Sequence, residues 1–194
     1  MIGFAKKMDN ECRRLIKSDL YRYIGKYTFK DLVLNYFLNE GFKYMYNHRK
    51  CNYYRKRNKI KFLLYRINLN RLKYKYGYEI SSNAKIGEGF YIGHLGPIII
   101  NPKAKLGKNI NISSGVTIGQ QNRGDKKGYP TICDNVWIGA NAIIVGNINI
   151  GKNVLIAPGA YINFDVPDNS IVIGNPGIVK ENKKATDGYL QYKI

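Results

Sequence analysis

From about Glu79 onward an aliphatic residue returns at every sixth position, and no other feature of this 194-residue chain restricts its fold so tightly. Ile80, Ile86 and Ile92 keep step, then Ile100, Leu106, Ile112 and Ile118, then Ile132, Ile138, Ile144, Ile150, Ile156 and Ile162. Two residues ahead of these sites stand small or β-branched side chains, at Ala84, Ala104, Val116, Val136, Ala142, Val154 and Ala160. Glycine often follows them, as at Gly87, Gly93, Gly107, Gly119, Gly139 and Gly151. An amphipathic helix needs a period of about 3.6, and a hairpin sheet needs recurring turn signals, so neither fits. A triangular coil with three short strands per turn does fit. One residue in six then points inward on each face and stacks on its counterpart roughly 18 residues further on. Small residues suit the bends at the corners, where Gly or Asn tolerates the backbone angles.

The expected fold is therefore mainly β, a left-handed parallel β-helix of hexapeptide repeats with an N-terminal α-helical region. The ladder breaks phase twice. Ile92 to Ile100 is a step of eight, so the turn carrying Gly93, His94, Leu95, Gly96 and Pro97 bulges by two residues. Ile118 to Ile132 is a step of fourteen, which leaves a polar loop, Gln120 to Thr131, projecting from the prism. Insertions into a repeat are where function is usually placed, and both are expected on the outside, near one another.

The N-terminal third follows a different rule. Leu32, Val33, Tyr36 and Phe37, and again Ile60, Leu63, Leu64 and Ile67, fall at helical spacing with Lys and Arg between them. Thr28 is placed to cap one helix and Gly41 to end it. Three or four helices packed against the β-helix are expected over residues 1–76, followed by the β-helix over 77–180 and a C-terminal tail over 181–194. Residues 1–76 carry 20 Lys+Arg against 5 Asp+Glu, a net +15, which leaves +4 of the total +19 for the rest. Such a patch suits peripheral contact with anionic lipid at the inner face of the plasma membrane, at about 1 kcal/mol per basic residue near the surface. The alternative is a solvated helical face that also packs an oligomer.

Three cysteines, Cys12, Cys51 and Cys133, form no close pair, which fits a reducing compartment. Residues 1–20 lack the apolar run of a secretory signal, and no stretch approaches the roughly 20 apolar residues that span a bilayer. The cytoplasm is the expected address.

The chain has two histidines, His48 and His94, too few for a three-histidine zinc site, and no metal is expected. His48 lies in a basic helical stretch and reads as a solvated side chain. His94 sits in the first insertion, where Gly93 and Gly96 leave room around an imidazole. A base of pKa near ~6.5 can take the proton of a hydroxyl as its oxygen attacks a thioester, a gain of roughly 10²- to 10⁴-fold. Glu79, about one coil earlier, is placed to accept the other ring N–H and fix the tautomer, or is simply a surface residue of the first repeat.

At these residues the chain resembles the serine acetyltransferase-like branch of the hexapeptide acyltransferases, especially its polysaccharide O-acetyltransferases. The resemblance covers Gly77 to about Lys180. It rests on Glu79-Ile80 before Ala84-Lys85-Ile86-Gly87, on Tyr91-Ile92-Gly93-His94, Ile100-Asn101-Pro102 and Val116-Thr117-Ile118-Gly119. It continues through Asn135-Val136-Trp137-Ile138-Gly139-Ala140 and Asp165-Val166-Pro167-Asp168-Asn169-Ser170 to Gly174-Asn175-Pro176. The resemblance implies direct acetyl transfer from acetyl-CoA without an acyl-enzyme. His94 matches the general base, and Glu79 stands where serine acetyltransferases carry its Asp partner. It also implies a homotrimer, with acetyl-CoA along the groove between adjacent prisms. Gly119, Ala140 and Ala157 would meet the pantetheine arm, and Lys152 or Lys180 its phosphates.

The departures bear on the acceptor. Serine acetyltransferases bind the amino acid through an Asp just before the base and an Arg-His pair before a Pro in the projecting loop. Here Gly93 precedes the base, and Gly128-Tyr129 precedes Pro130, so a zwitterion would leave two charges poorly paired. Tyr129 instead suits a sugar face, with Gln120, Gln121 and Asn122 for its hydroxyls. The expected acceptor is a sugar in a bacterial surface polysaccharide or its precursor. Serine or another small molecule, antibiotics included, is the alternative. A nucleic-acid role for Arg55-Lys56-Arg57 with Tyr53 and Tyr54 lacks any recognised binding motif, so no nucleic-acid partner is expected.

Overall fold

The computed structural model describes residues 2–194, with side chains from Asn10 onward. Met1 and the side chains of residues 2–9, which hold part of the N-terminal basic charge, lie outside the described residues. Four helices come first, α1 (Ile2–Ile24), α2 (Phe29–Leu38), α3 (Glu40–Tyr54) and α4 (Lys59–Tyr76). Gly77 closes α4 in the left-handed region at φ 76°, its N–H donating to the Lys73 carbonyl. From Tyr78 the chain winds into a parallel solenoid of about five turns, the left-handed β-helix that the six-residue period predicts.

Three sheets form the faces of the prism, with five, four and six strands. Register follows the ladder. Ile80, Ile100, Ile118, Ile144 and Ile162 stack on the first face. Ile86, Leu106, Ile132 and Ile150 stack on the second. Ile92, Ile112, Ile138, Ile156 and Val172 stack on the third. All of them are buried, each worth about 1.5–3 kcal/mol relative to exposure. Ala84, Ala104, Val116, Val136, Ala142, Val154 and Ala160 are buried with them. At the edge joining the second and third faces, Asn109, Asn135, Asn153 and Asn169 all take positive φ. Their amides bond in two pairs, Asn109 donating to Asn135 at 2.9 Å and Asn153 to Asn169 at 2.8 Å.

The helices do more than pack alongside. The first turn of a solenoid exposes unpaired strand groups, and these need partners. Polar side chains of α1 and α3 supply them. Tyr44 Oη donates to Ile80 O at 2.9 Å, and Arg49 donates to the carbonyls of Ile86 and Gly87, both at 2.6 Å. The Asp19 carboxylate accepts from Phe90 N, and Tyr23 Oη both accepts from Ile92 N and donates to Ile92 O. Tyr44, Met45, Cys51, Leu69, Leu72 and Tyr76 of α3 and α4 also share one continuous core with the β-helix, while Cys12, Ile16, Leu20 and Phe42 form a second cluster.

Several expectations change here. Gly41 does not end a helix; Asn39 caps α2 and starts α3, its side chain accepting from Phe42 N at 3.1 Å. Gly41 lies inside α3, and its lack of a side chain lets the helix approach the solenoid, since a Cβ there would stand 2.7 Å from both Ile92 O and Tyr23 Oη. In α2, Leu32 and Tyr36 pack against the cluster of Cys12, Ile16, Leu20 and Phe42 while Val33 and Phe37 face outward, and the whole α4 stripe faces outward rather than into the core, with Phe37 at 70% and Ile60 at 73% exposure. The burial in α4 falls on Leu69, Leu72 and Tyr76. The tail packs back on the third face, where Tyr189 lies against Trp137 with ring centroids 4.8 Å apart. His48 is buried, not solvated. Its Nε2 lies 3.0 Å from Ser81 O, and burial, aided by the Arg49 charge, lowers its pKa to about 3.

Candidate active site

His94 stands exposed on the edge between the third and first faces, in the bulge that follows Tyr91–Ile92. The turn is fixed from both sides. Gly96 adopts φ 135°, and a Cβ there would meet Ser114 Cβ at 2.8 Å. Tyr78 Oη donates to His94 O at 3.2 Å, and Gly115 N donates to Pro97 O at 2.6 Å. The imidazole opens onto a cavity of about 250 Å³ on the third face, lined by Tyr91, Asn111, Ser113 and Trp137, by Arg22 and Tyr23 of α1, and by Tyr189 and Gln191 of the tail.

Aromatic rings and neutral hydrogen-bonding groups dominate this cavity, and no carboxylate is among its lining residues. Tyr91, Asn111 and Trp137 form one outward column, in register across three turns. Tyr91 and Trp137 stand in the motifs that carry the resemblance, but the sequence assigns none of the three a role at the site. The available signal was the single Trp, placed between inward Val136 and Ile138 and so forced to point out.

Glu79 is on the first face and lines a different cavity, of about 660 Å³, with Arg55, Arg66, Lys73, Asn101 and Gly119. Its carboxylate pairs with Lys73 Nζ at 3.2 Å. Among the described residues no hydrogen bond joins it to His94, so within one copy the structure does not bring the two together.

The two insertions are also apart. The loop carrying Gln120 to Thr131 leaves the edge between the first and second faces, whereas the His94 bulge is on the edge between the third and first. The expectation that they lie near one another is corrected by the order of the faces, because successive hexapeptides fall on successive faces. The loop is a small hairpin, closed by an antiparallel bridge of Gln121 with Gly128 and tied down by Lys126 to Asp165 at 2.7 Å. Tyr129 already carries Lys103 over its ring at 4.9 Å. Gln120 bonds Asn122, and Gln121 Nε2 donates to Arg123 O at 2.9 Å.

Nor does one copy gather the residues considered for coenzyme A. Ala140 and Ala157 do share the His94 edge, where Gly159 N donates to Ala140 O and Ala157 N to Val172 O. Gly119 is at the hairpin edge. Lys152 is on the third edge, its N–H bonded to Asp168, and Lys180 is in the antiparallel strand Ile178–Glu181. Three edges cannot line one groove of a single prism.

Tyr53 and Tyr54 are engaged within the helical cap. Arg57 lies 4.3 Å from the Tyr53 ring centroid, and Tyr54 stacks on Tyr65 at 5.5 Å.

Residues 129–163 match the family described as bacterial transferase hexapeptide (six repeats). A serine acetyltransferase of Bacillus pumilus is 34% identical over 159 residues, 81% of this chain and 71% of that protein. One of Synechococcus elongatus is 40% identical over 103 residues, 53% of this chain and 42% of that protein. Among solved structures, the serine acetyltransferase of Neisseria gonorrhoeae in complex with serine is similar with a TM-score of 0.73 at 30% identity, covering 89% of this chain and 70% of that one.

Proposed function

From the premise that this chain belongs to the serine acetyltransferase-like branch of the hexapeptide-repeat acyltransferases, we propose that it moves acetyl from acetyl-CoA to a sugar hydroxyl of a bacterial surface polysaccharide or its precursor. The observation that carries this reading is the cavity beside His94. Its rings suit a sugar face, and Ser113 and Gln191 suit hydroxyls. His94 takes the hydroxyl proton as the oxygen attacks the thioester carbon, then returns it to the departing thiolate. The small residues of the same edge, Ala140 and Ala157, leave it shallow enough for an extended pantetheine arm. A homotrimer belongs to the proposal, because it gives the exposed α4 stripe and Val33 and Phe37 of α2 a partner.

A second reading is L-serine as acceptor. The names of the relatives favour it over a glycan. Against it stand Gly93 before the base, Gly128-Tyr129 before Pro130, and the absence of a carboxylate in the cavity to meet an ammonium. Thiol release from acetyl-CoA, measured with sugars, nucleotide sugars and L-serine, separates the two. Serine turnover matching that of sugars reverses the ranking. His94→Ala is expected to lower turnover by at least ~100-fold with the fold retained; a smaller loss means that another group is the base.

Peripheral membrane contact from the cytoplasmic side is the last part of the proposal, resting on the +15 carried by residues 1–76. No helix among the described residues is long and apolar enough to cross a membrane. Salt-independent partitioning with anionic liposomes, or none, removes this part and leaves the chemistry untouched.

A further inference from the structure

Arg22, in the last turn of α1, is 3% exposed and lines the same cavity as His94. Its Nε donates to Gln191 O at 3.0 Å, Nη1 to Gly89 O at 3.3 Å and Nη2 to Asn111 Oδ1 at 2.6 Å. All three acceptors are neutral. Among the described residues each terminal nitrogen keeps one N–H without a partner.

The neighbouring buried guanidinium is treated differently. Arg49 holds Asp19 through two bonds, at 2.9 and 3.1 Å, and adds two carbonyls. Asp19 is less than one helical turn from Arg22, yet its oxygens are taken by Arg49 and by Phe90 N. Arg22 is therefore a buried cation none of whose hydrogen bonds reaches an anion. Burial lowers its pKa to about 10, and the charge of Asp19 nearby offsets that only in part. Fastening the tail and one edge carbonyl of the solenoid needs a donor, not a charge.

We propose that Arg22 receives a negatively charged group of the acceptor while His94 deprotonates its hydroxyl, so that the acceptor is an acidic sugar unit. The inference rests on the glycan reading above. One open N–H on each terminal nitrogen suits the paired oxygens of a carboxylate or a phosphate, and the low-dielectric surroundings strengthen the contact. Two sources carry such a group, the ring carboxylate of a uronic acid and the phosphate of an activated sugar. A neutral sugar leaves the charge as it is now.

The test uses the full chain, acetyl-CoA and matched acceptors: a methyl hexuronoside, its uronamide, the parent methyl hexoside, a hexose 1-phosphate and L-serine. The wild type is expected to favour one anionic member over its neutral counterpart by roughly 10- to 100-fold in kcat/KM. Preference for the uronate or for the phosphate identifies the source. Arg22→Gln is expected to bring that ratio to within about three-fold of unity, with Arg22→Lys between. A tail-fastening role alone would lower all acceptors together and leave the ratio unmoved. The wild-type ratio decides the matter even where a variant fails to fold. Equal use of acidic and neutral sugars ends the Arg22 assignment and leaves the glycan reading standing, whereas turnover of L-serine alone ends both.

Discussion

His48 makes the fold sensitive to mild acid, by an amount that follows from its surroundings. Its ring is 1% exposed, Nε2 faces Ser81 O at 3.0 Å, and Nδ1 has no partner among the described residues. With Nε2 as the donor, a second proton would enter a buried site next to the Arg49 charge. The folded pKa is accordingly about 3, against 6.5 for a free histidine. A lowered histidine pKa means that the unfolded chain takes up the proton first. Stability is complete above the unfolded value and falls as pH drops toward the folded one, by up to about 1.4 kcal/mol per pH unit. Between about pH 7.5 and about pH 4.5 the loss sums to about 2–3 kcal/mol, of the 5–15 kcal/mol typical of a domain. Urea unfolding followed by far-ultraviolet circular dichroism, at fixed protein concentration, measures it. His48→Gln keeps a donor for Ser81 O and does not titrate. Carboxylates that also respond to acid cancel in the difference between the two proteins. The slopes should diverge below about pH 6.5; parallel slopes would refute the claim that burial holds this ring neutral.

Ile138→Ala removes a fully buried rung between Ile112 and Ile156 and should cost about 2–5 kcal/mol by thermal or urea unfolding. Gly41→Ala drives a methyl against Ile92 O and Tyr23 Oη; a loss of about 1–3 kcal/mol and a fall in turnover are expected, because the displaced strand leads straight to His94. Glu79→Gln breaks only a partly exposed pair with Lys73, so stability should change by under about 1 kcal/mol. Its turnover should fall by less than that of His94→Ala, and an equal fall would mean that the two act as one unit.

The ladder was legible because a hexapeptide reports its own face: each inward Ile is fixed by residues within one strand of it, and every predicted rung is buried. The two insertions were legible as phase breaks. Their separation was also written in the count, since Ile92 and Ile100 end on the third and first faces and Ile118 and Ile132 on the first and second. What no period could report is the capping of the first turn. Asp19 and Arg22 of α1 and His48 and Arg49 of α3 belong to a basic helical region that reads as a solvated face, and they are buried because strand edges there require partners. Arg22 joined the His94 cavity by the same long-range route, across 67 residues to Gly89 and 169 to Gln191.

Placing His94 on one edge and the hairpin on another has a consequence for assembly. The first face lies between them, with Ile99 and Ile143 exposed on it at 44% and 38%. A reaction that uses both the base and the hairpin must therefore draw them from two copies, as the proposed trimer would. Complementation measures this directly. One chain carries His94→Ala; another has residues 121–128 replaced by a short Gly-Ser linker. Each alone is expected to be nearly inactive. Random mixing in a closed cyclic assembly places an intact base against an intact hairpin at about a quarter of the interfaces, so co-expression should recover about a quarter of wild-type turnover. If both elements act within one copy, the mixture stays as inactive as its parts; if the hairpin is dispensable, the linker variant is active by itself.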